Sequence, residues 1–227
     1  GETAASAMRA ECWMLPSTLA LAEPISRELE ARLSAGSANL GIALSDEQRR
    51  ALLRYLDALS LWGARMNLTA VREPHEVVER HFLDSLALVA RLPSGPGSLV
   101  DVGSGAGFPG VLCALCRPDL AVTLVERVGK KAAFLLALRR ELGLRYEVEA
   151  RDATQLPSGY RIAVSRAALP LPRWFPVAHK LVARGGWVFA MTTPQEPIPK
   201  APGLVPALDV EYELGESRRR LLAYTRE

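Results

Sequence analysis

The stretch Val100-Asp-Val-Gly-Ser-Gly-Ala-Gly-Phe-Pro-Gly110 decides how this chain folds. An apolar run ends in Asp101, glycines follow at 103, 105, 107 and 110, and a helical pattern begins directly after them. Glycines in such a turn let the backbone bend tightly and approach a ligand, and the helix start that follows offers free amides to an anion. The loop predicts a ligand site at the edge of a sheet.

Downstream of the loop, short apolar runs alternate with helical stretches. Leu99 to Val102, Ala121 to Val125, Tyr146 to Glu149, Ile162 to Ser165 and Trp187 to Thr192 have strand character, with helices near 109 to 116, 128 to 142 and 174 to 183. This alternation predicts an α/β fold, because right-handed crossovers place helices on the faces of a parallel sheet. Leu208 to Leu214 and Leu221 to Thr225 are close enough in sequence to form an antiparallel hairpin. Pro194 to Pro206 carries five prolines and predicts an exposed connection. Upstream, Ser45-Asp-Glu-Gln48 is a capping box ahead of Leu52, Leu53, Leu56, Leu59 and Trp62 at helical spacing. Pro74 opens another helix, with Val77, Val78, Phe82, Leu83, Leu86 and Val89 on its apolar face and Pro93 and Gly95 closing it. Ile25 to Leu33 has the spacing of a further amphipathic helix. The chain thus divides into an N-terminal extension (1–40), a helical lobe (41–96) and an α/β domain (97–227).

Composition narrows the class. With 227 residues, 49% apolar and 23% charged, the chain can bury a sizeable core without a metal or disulfide staple. A net charge of +3 permits a nucleic-acid partner without demanding one. Of the 28 basic residues 24 are arginine, whose planar fork suits phosphate and carboxylate. Cys12, Cys113 and Cys116 are too few for a disulfide framework and fit a reducing, cytoplasmic setting. Cys113-Ala-Leu-Cys116 lies in an apolar helix without a second pair, so packing rather than metal binding is expected. No apolar run, Ala132 to Leu138 being the longest, approaches the roughly 20 residues of a membrane span. Trp13 to Ala22 has a faint look of a signal peptide, but Glu11, Pro16 and Glu23 argue against export. Gly1 is not an initiating residue, and the first dozen positions are expected to be processed or added.

Two ligands compete for the glycine loop. Gly105-x-Gly107-x-x-Gly110 satisfies a dinucleotide fingerprint, with Glu126 near the distance of a ribose contact. Asp101-x-Gly103-x-Gly105, however, sets a carboxylate beside the loop, which repels a pyrophosphate and attracts a cationic sulfonium cofactor. S-adenosylmethionine therefore fits better. Glu126 can accept both ribose hydroxyls, and Asp152 in Arg151-Asp-Ala153 can accept from the adenine amino group. Arg166 in Ser165-Arg-Ala167 can bind a cofactor carboxylate or an RNA phosphate, or form a surface ion pair. His81 and Asp84 are either an imidazole oriented near substrate or a helix-stabilising pair. Phe108, Arg173 and Trp174 are candidate stacking platforms for splayed bases.

These segments resemble the glucose-inhibited division protein B family of bacterial methyltransferases, which modify guanine N7 in small-subunit ribosomal RNA. The resemblance spans roughly 45 to 225. It rests on Trp62 with Asn67-Leu-Thr-Ala-Val-Arg72, Arg80-His-Phe-Leu-Asp-Ser-Leu86, the glycine loop, Glu126 with Lys130-Lys-Ala-Ala-Phe-Leu135, and Ser165-Arg-Ala167. It implies a seven-stranded Rossmann-like class I methyltransferase sheet, S-adenosylmethionine as cofactor, and 16S RNA or the small subunit as partner of a cytoplasmic monomer. The candidate cofactor residues are Asp101, Gly103, Ser104, Gly105, Gly107, Phe108, Glu126, Arg127, Asp152, Ala153 and Arg166. Those expected to face RNA or the reacting centre are Asn67, Arg72, Arg80, His81, Arg151, Arg173 and Arg218 to Arg220. Two departures stand out: Gly63 follows the tryptophan where asparagine is common, and Thr192-Thr193 replaces Lys-Gly after the fifth strand.

Guanine N7 carries a lone pair and no proton, so the expected chemistry needs alignment by Arg166 and no general base. An NAD(P)-dependent oxidoreductase and a non-enzymatic RNA-binding or assembly protein are the rival readings.

Overall fold

The computed structural model describes residues 23–63 and 66–227. Cys12 and the stretch Trp13 to Ala22 lie outside the described residues.

The first two helices of the described residues are α1 (Glu23–Asn39) and α2 (Asp46–Gly63). The capping box forms as expected: the Ser45 amide donates to Gln48 Oε1 at 2.9 Å and the Gln48 amide to Ser45 Oγ at 3.1 Å. The helix expected from Pro74 is not uniform. It runs as α3 (Pro74–Val77), a π-helical stretch (Val78–Leu83) and α4 (Asp84–Val89). A π stretch inserts residues into the helical ladder and re-aims side chains, and such insertions concentrate at functional sites. Apolar spacing cannot reveal it, since the apolar face survives on either side.

The remaining elements are β1 (Gly97–Val102), α5 (Gly110–Cys116), β2 (Leu120–Val125), α6 (Gly129–Leu142), β3 (Glu147–Glu149), β4 (Tyr160–Arg166), α7 (Leu171–Leu181), β5 (Val182–Thr192), β6 (Leu204–Leu214) and β7 (Ser217–Arg226). They form one seven-stranded sheet of order β3-β2-β1-β4-β5-β7-β6. β1 to β5 are parallel, and β7 runs antiparallel to β5 and β6. The sheet reverses direction of crossover between β1 and β4, where open α/β sheets bind ligands at the strand C-termini. β5 starts five residues before the expected Trp187, directly after α7. β6 takes in Pro206, which sits at an edge-strand bulge where a missing amide donor is tolerated.

Alternation along the strands separates two cores. Leu99, Leu124, Ile162, Val164, Phe189 and Leu221 face the helical lobe and pack with Tyr55, Phe82 and Phe134. Val100, Val102, Ala163, Val188 and Leu222 face α7, through Trp174 and Phe175. The lobe shares its core with one face of the sheet. No helix among the described residues is long and apolar enough to cross a membrane.

Candidate active site

Two cavities open at the C-terminal ends of the parallel strands. The first, about 530 Å³, is lined by Gly103, Gly105, Glu126, Asp152, Ala153 and Arg166 among others, a size that suits a nucleoside-bearing cofactor. Arg127, Lys131, Arg151 and Arg173 also line it and make its rim basic. The second, about 310 Å³, lies between the π stretch, the end of β5 and β7, with His81, Asp84, Arg166, Thr192, Glu196 and Arg219 in its walls. Arg166 and Ala167 line both. Ala167 is a non-glycine residue with φ of 53°, a left-handed conformation that costs about 1–2 kcal/mol and is held at this junction.

Glu126 pins the glycine loop. Its Oε2 accepts from the Gly105 amide at 2.9 Å and its Oε1 from the Val128 amide at 2.8 Å. A carboxylate offers about four acceptor positions, so one lone pair on each oxygen remains for a ligand hydroxyl. Gly105 has φ of +58°, and an added Cβ would meet nothing nearer than the Gly103 carbonyl oxygen at 3.9 Å, so the loop leaves open space beside the cavity. Asp152 Oδ1 accepts from the Thr154 amide and hydroxyl at 2.9 and 2.7 Å, and Arg127 reaches Oδ2 at 3.3 Å. The Thr154 amide above all holds the Asp152 carboxyl below its ordinary pKa, so it stays an acceptor. An acidic acceptor pair beside a glycine cradle fits an adenosine cofactor.

Asp101 does not line this cavity. Strand alternation points it with Leu99 toward the helical lobe, while its neighbour Val102 faces the cleft. It is fully buried, and Oδ2 accepts from the Gly110 amide at 3.0 Å. Burial, opposed by that hydrogen bond, pushes its pKa up to about 7. The expected acidic lip is therefore Glu126, not Asp101. The Gly110 amide, which a pyrophosphate would need at the start of α5, is already taken. The dinucleotide reading loses its anion site.

Other loop residues support rather than line the cavity. Ser104 is buried and donates to the Asp101 carbonyl at 2.9 Å, and a Cβ on Gly107 would sit 2.4 Å from the Tyr55 hydroxyl oxygen. Phe108 is buried, stacks on His81 at 4.7 Å and lies under the Arg166 guanidinium at 5.3 Å. Trp174 is also buried, its Nε1 donating to the Phe189 carbonyl. Neither ring is a free platform for a base.

Arg166 is the hub. Its Nη1 donates to the Arg80 carbonyl at 3.0 Å and to Asp84 Oδ2 at 3.2 Å, and its Nη2 to His81 Nδ1 at 3.0 Å. His81 Nδ1 also lies 3.1 Å from the Arg80 carbonyl oxygen, and Nε2 lies 2.8 Å from Thr69 Oγ1, so both ring nitrogens are engaged. Burial first, and then the Arg166 charge, push the His81 pKa down to about 3. Asp84 pairs with Arg166 and with the Tyr212 hydroxyl at 2.7 Å, not with His81. Nothing in the sequence marks Tyr212 as a site residue, and Asp84 is marked there as a partner of His81, not of Arg166.

The basic candidates separate. Arg80 and Arg219 line the second cavity, whereas Asn67 and Arg72 hydrogen-bond to each other and line neither. Arg218 pairs with Glu211, and Arg220 binds both oxygens of Asp209 at 2.8 and 2.7 Å. Of the three hairpin arginines, Arg219 alone lines either of these two cavities.

Comparisons agree with this architecture. Solved structures of TrmN from Thermus thermophilus (TM-score 0.55, 18% identity, 64% of this chain and 48% of that one) and of MtNAS in complex with MTA and tNA (0.55, 16%, 98% and 95%) share the fold. A relative from Burkholderia pseudomallei strain 668 is the ribosomal RNA small subunit methyltransferase G, 40% identical over 214 residues, covering 84% of this chain and 92% of the relative. The GidB family model, described as rRNA small subunit methyltransferase G, matches residues 48–198. The chain belongs to the rRNA small subunit methyltransferase G family.

Proposed function

We propose that this protein methylates N7 of a guanine in the 16S RNA of the small ribosomal subunit, with S-adenosylmethionine as donor. The observation that carries this reading is the wall shared by two cavities, where Arg166 and Ala167 separate an adenosine-type cleft from a second cavity at the end of β5. Family membership and the name of the 40% identical relative support the substrate class. A ribosomal substrate in turn supports a cytoplasmic location.

When bound, the cofactor supplies an electrophilic methyl group on a positively charged sulfur. Gly103 and Gly105 line its cavity with open space at Gly105, Glu126 offers two unused lone pairs to the ribose, and Asp152 and Ala153 line the adenine end. Arg166 fixes the junction between donor and acceptor. Alignment of nucleophile, methyl and sulfur can lower the barrier by roughly 7–11 kcal/mol, and N7 has no proton to lose. His81 accords with this. Its Nδ1 is engaged by Arg166, its Nε2 by Thr69, and its depressed pKa makes it a poor base at neutral pH.

Radiolabelled methyl transfer to small subunits lacking the modification, followed by mapping of the labelled base, tests the reading. Label at a guanine N7 is expected. Cofactor binding without transfer to any such substrate would overturn it, as would a pH–rate profile with an essential base titrating near neutrality.

A further inference from the structure

We propose that Glu196 selects the target base, its carboxylate accepting from guanine N1–H and the exocyclic amino group. This inference rests on the methyl-transfer reading above and names the residue that reads the base in the second cavity.

Two carboxylates line that cavity, and one is buried and paired with a cation. Asp84 gives Oδ1 to the Tyr212 hydroxyl and Oδ2 to Arg166, and it is 3% exposed. Glu196 is partly exposed and forms no ion pair with a described residue. It is held in place by two neutral donors, the Thr192 hydroxyl on Oε2 and the Leu171 amide at 3.2 Å on Oε1. Each oxygen therefore keeps an acceptor position, and the pair can accept from two adjacent donors. Among the four RNA bases only guanine presents two adjacent donors, N1–H and the N2 amino group, on its pairing edge. Adenine offers an acceptor at N1, and uracil flanks its single N–H with two carbonyls. Holding guanine by that edge leaves N7 free on the other. Thr192 stands where Lys-Gly was expected, and its hydroxyl fixes the carboxylate without neutralising it.

The test uses the full chain and small-subunit RNA carrying guanine or inosine at the mapped position, since inosine lacks only the amino group. Wild type is expected to lose about 10- to 100-fold in kcat/KM with inosine, the range of a hydrogen bond to a charged group. In Glu196→Ala that penalty collapses toward one, while kcat/KM with guanine falls by a similar factor and S-adenosylmethionine affinity is unchanged. Glu196→Gln, which keeps the size and the tethers, is expected to lose kcat/KM with guanine in the same direction. An inosine penalty identical in wild type and both variants would overturn the assignment of Glu196 while leaving the methyltransferase reading intact. A wild type that labels no small-subunit RNA would instead overturn that reading, and this assignment with it.

Discussion

Arg166 and Asp84 meet at 3.2 Å although 82 residues separate them, with 18% and 5% of their side chains exposed. The pair ties the tip of β4 to the end of the π stretch, and the Tyr212 hydroxyl on the other carboxylate oxygen adds β6 to the same knot. Three elements thus set one guanidinium. Removing the charge from a largely buried pair leaves its partner uncompensated. Asp84→Asn is expected to lose about 2 kcal/mol of stability and to lower kcat more than cofactor affinity. Urea unfolding, single-turnover methyl transfer and calorimetry check it. Unchanged kcat in a destabilised variant would make the pair purely structural.

Two glycines of the loop separate packing from binding. A Cβ on Gly103 would lie 2.1 Å from the Ala168 Cβ, at φ of +75°. Gly103→Ala is expected to cost about 3 kcal/mol or more, as overpacking and backbone strain act together. Gly105 has room, so Gly105→Ala carries only the left-handed penalty of about 1–2 kcal/mol. Its methyl group nevertheless enters the space beside the cofactor cavity, and S-adenosylmethionine affinity is expected to fall about tenfold or more. Calorimetry of a well-folded Gly105→Ala with wild-type affinity would show that the cofactor does not approach this backbone.

Local sequence pattern carries much of this arrangement, and contacts between distant segments carry the rest. The loop, the strand alternation, the capping box and the terminal hairpin are local patterns, and local periodicity specifies them. Glu126, Asp152 and Arg166 fall at strand ends, and a parallel sheet gathers all strand ends on one side. Charge alone places the Asp101 carboxylate beside the ligand at the strand tip, whereas alternation with Leu99 turns it inward. Asp84, Tyr212 and Glu196 acquire their roles only through contacts between distant segments, or through a chain path between β5 and β6 that no periodicity encodes.

Buried groups of opposite type predict an unusual pH response. Between about 3 and 6.5 the unfolded chain protonates His81 while the folded imidazole stays neutral, so acidification lowers stability. Asp101 acts in reverse. Between 3.8 and about 7 the folded carboxyl keeps a proton that the unfolded chain releases, so rising pH lowers stability. The two slopes oppose each other from 3.8 to 6.5. Asp101→Asn removes one of them. Its unfolding free energy relative to wild type is expected to rise by up to about 1.4 kcal/mol per pH unit across that window. Urea midpoints from pH 4 to 7 decide it, and parallel curves would mean that Asp101 is ionised throughout.

Arg219 and Arg220 are neighbours with opposite duties. Strand alternation sends Arg219 to the second cavity, where its buried Nε has no hydrogen-bond partner, and sends Arg220 to Asp209 in a two-point pair on the other face. Arg219 forms no ion pair with a described carboxylate and borders the second cavity, where RNA is expected. Each phosphate contact contributes roughly 0.7 to 0.9 to the slope of log affinity against log salt. Arg219→Ala is therefore expected to weaken binding of small-subunit RNA and to flatten that slope by about one such contact. Arg220→Ala removes an exposed pair and is expected to shift stability by no more than about 1 kcal/mol, with the salt slope unchanged. Filter binding across a salt series distinguishes the two. If Arg220→Ala flattened the slope and Arg219→Ala did not, the RNA path would run over the α7 face of the hairpin instead of through the cavity.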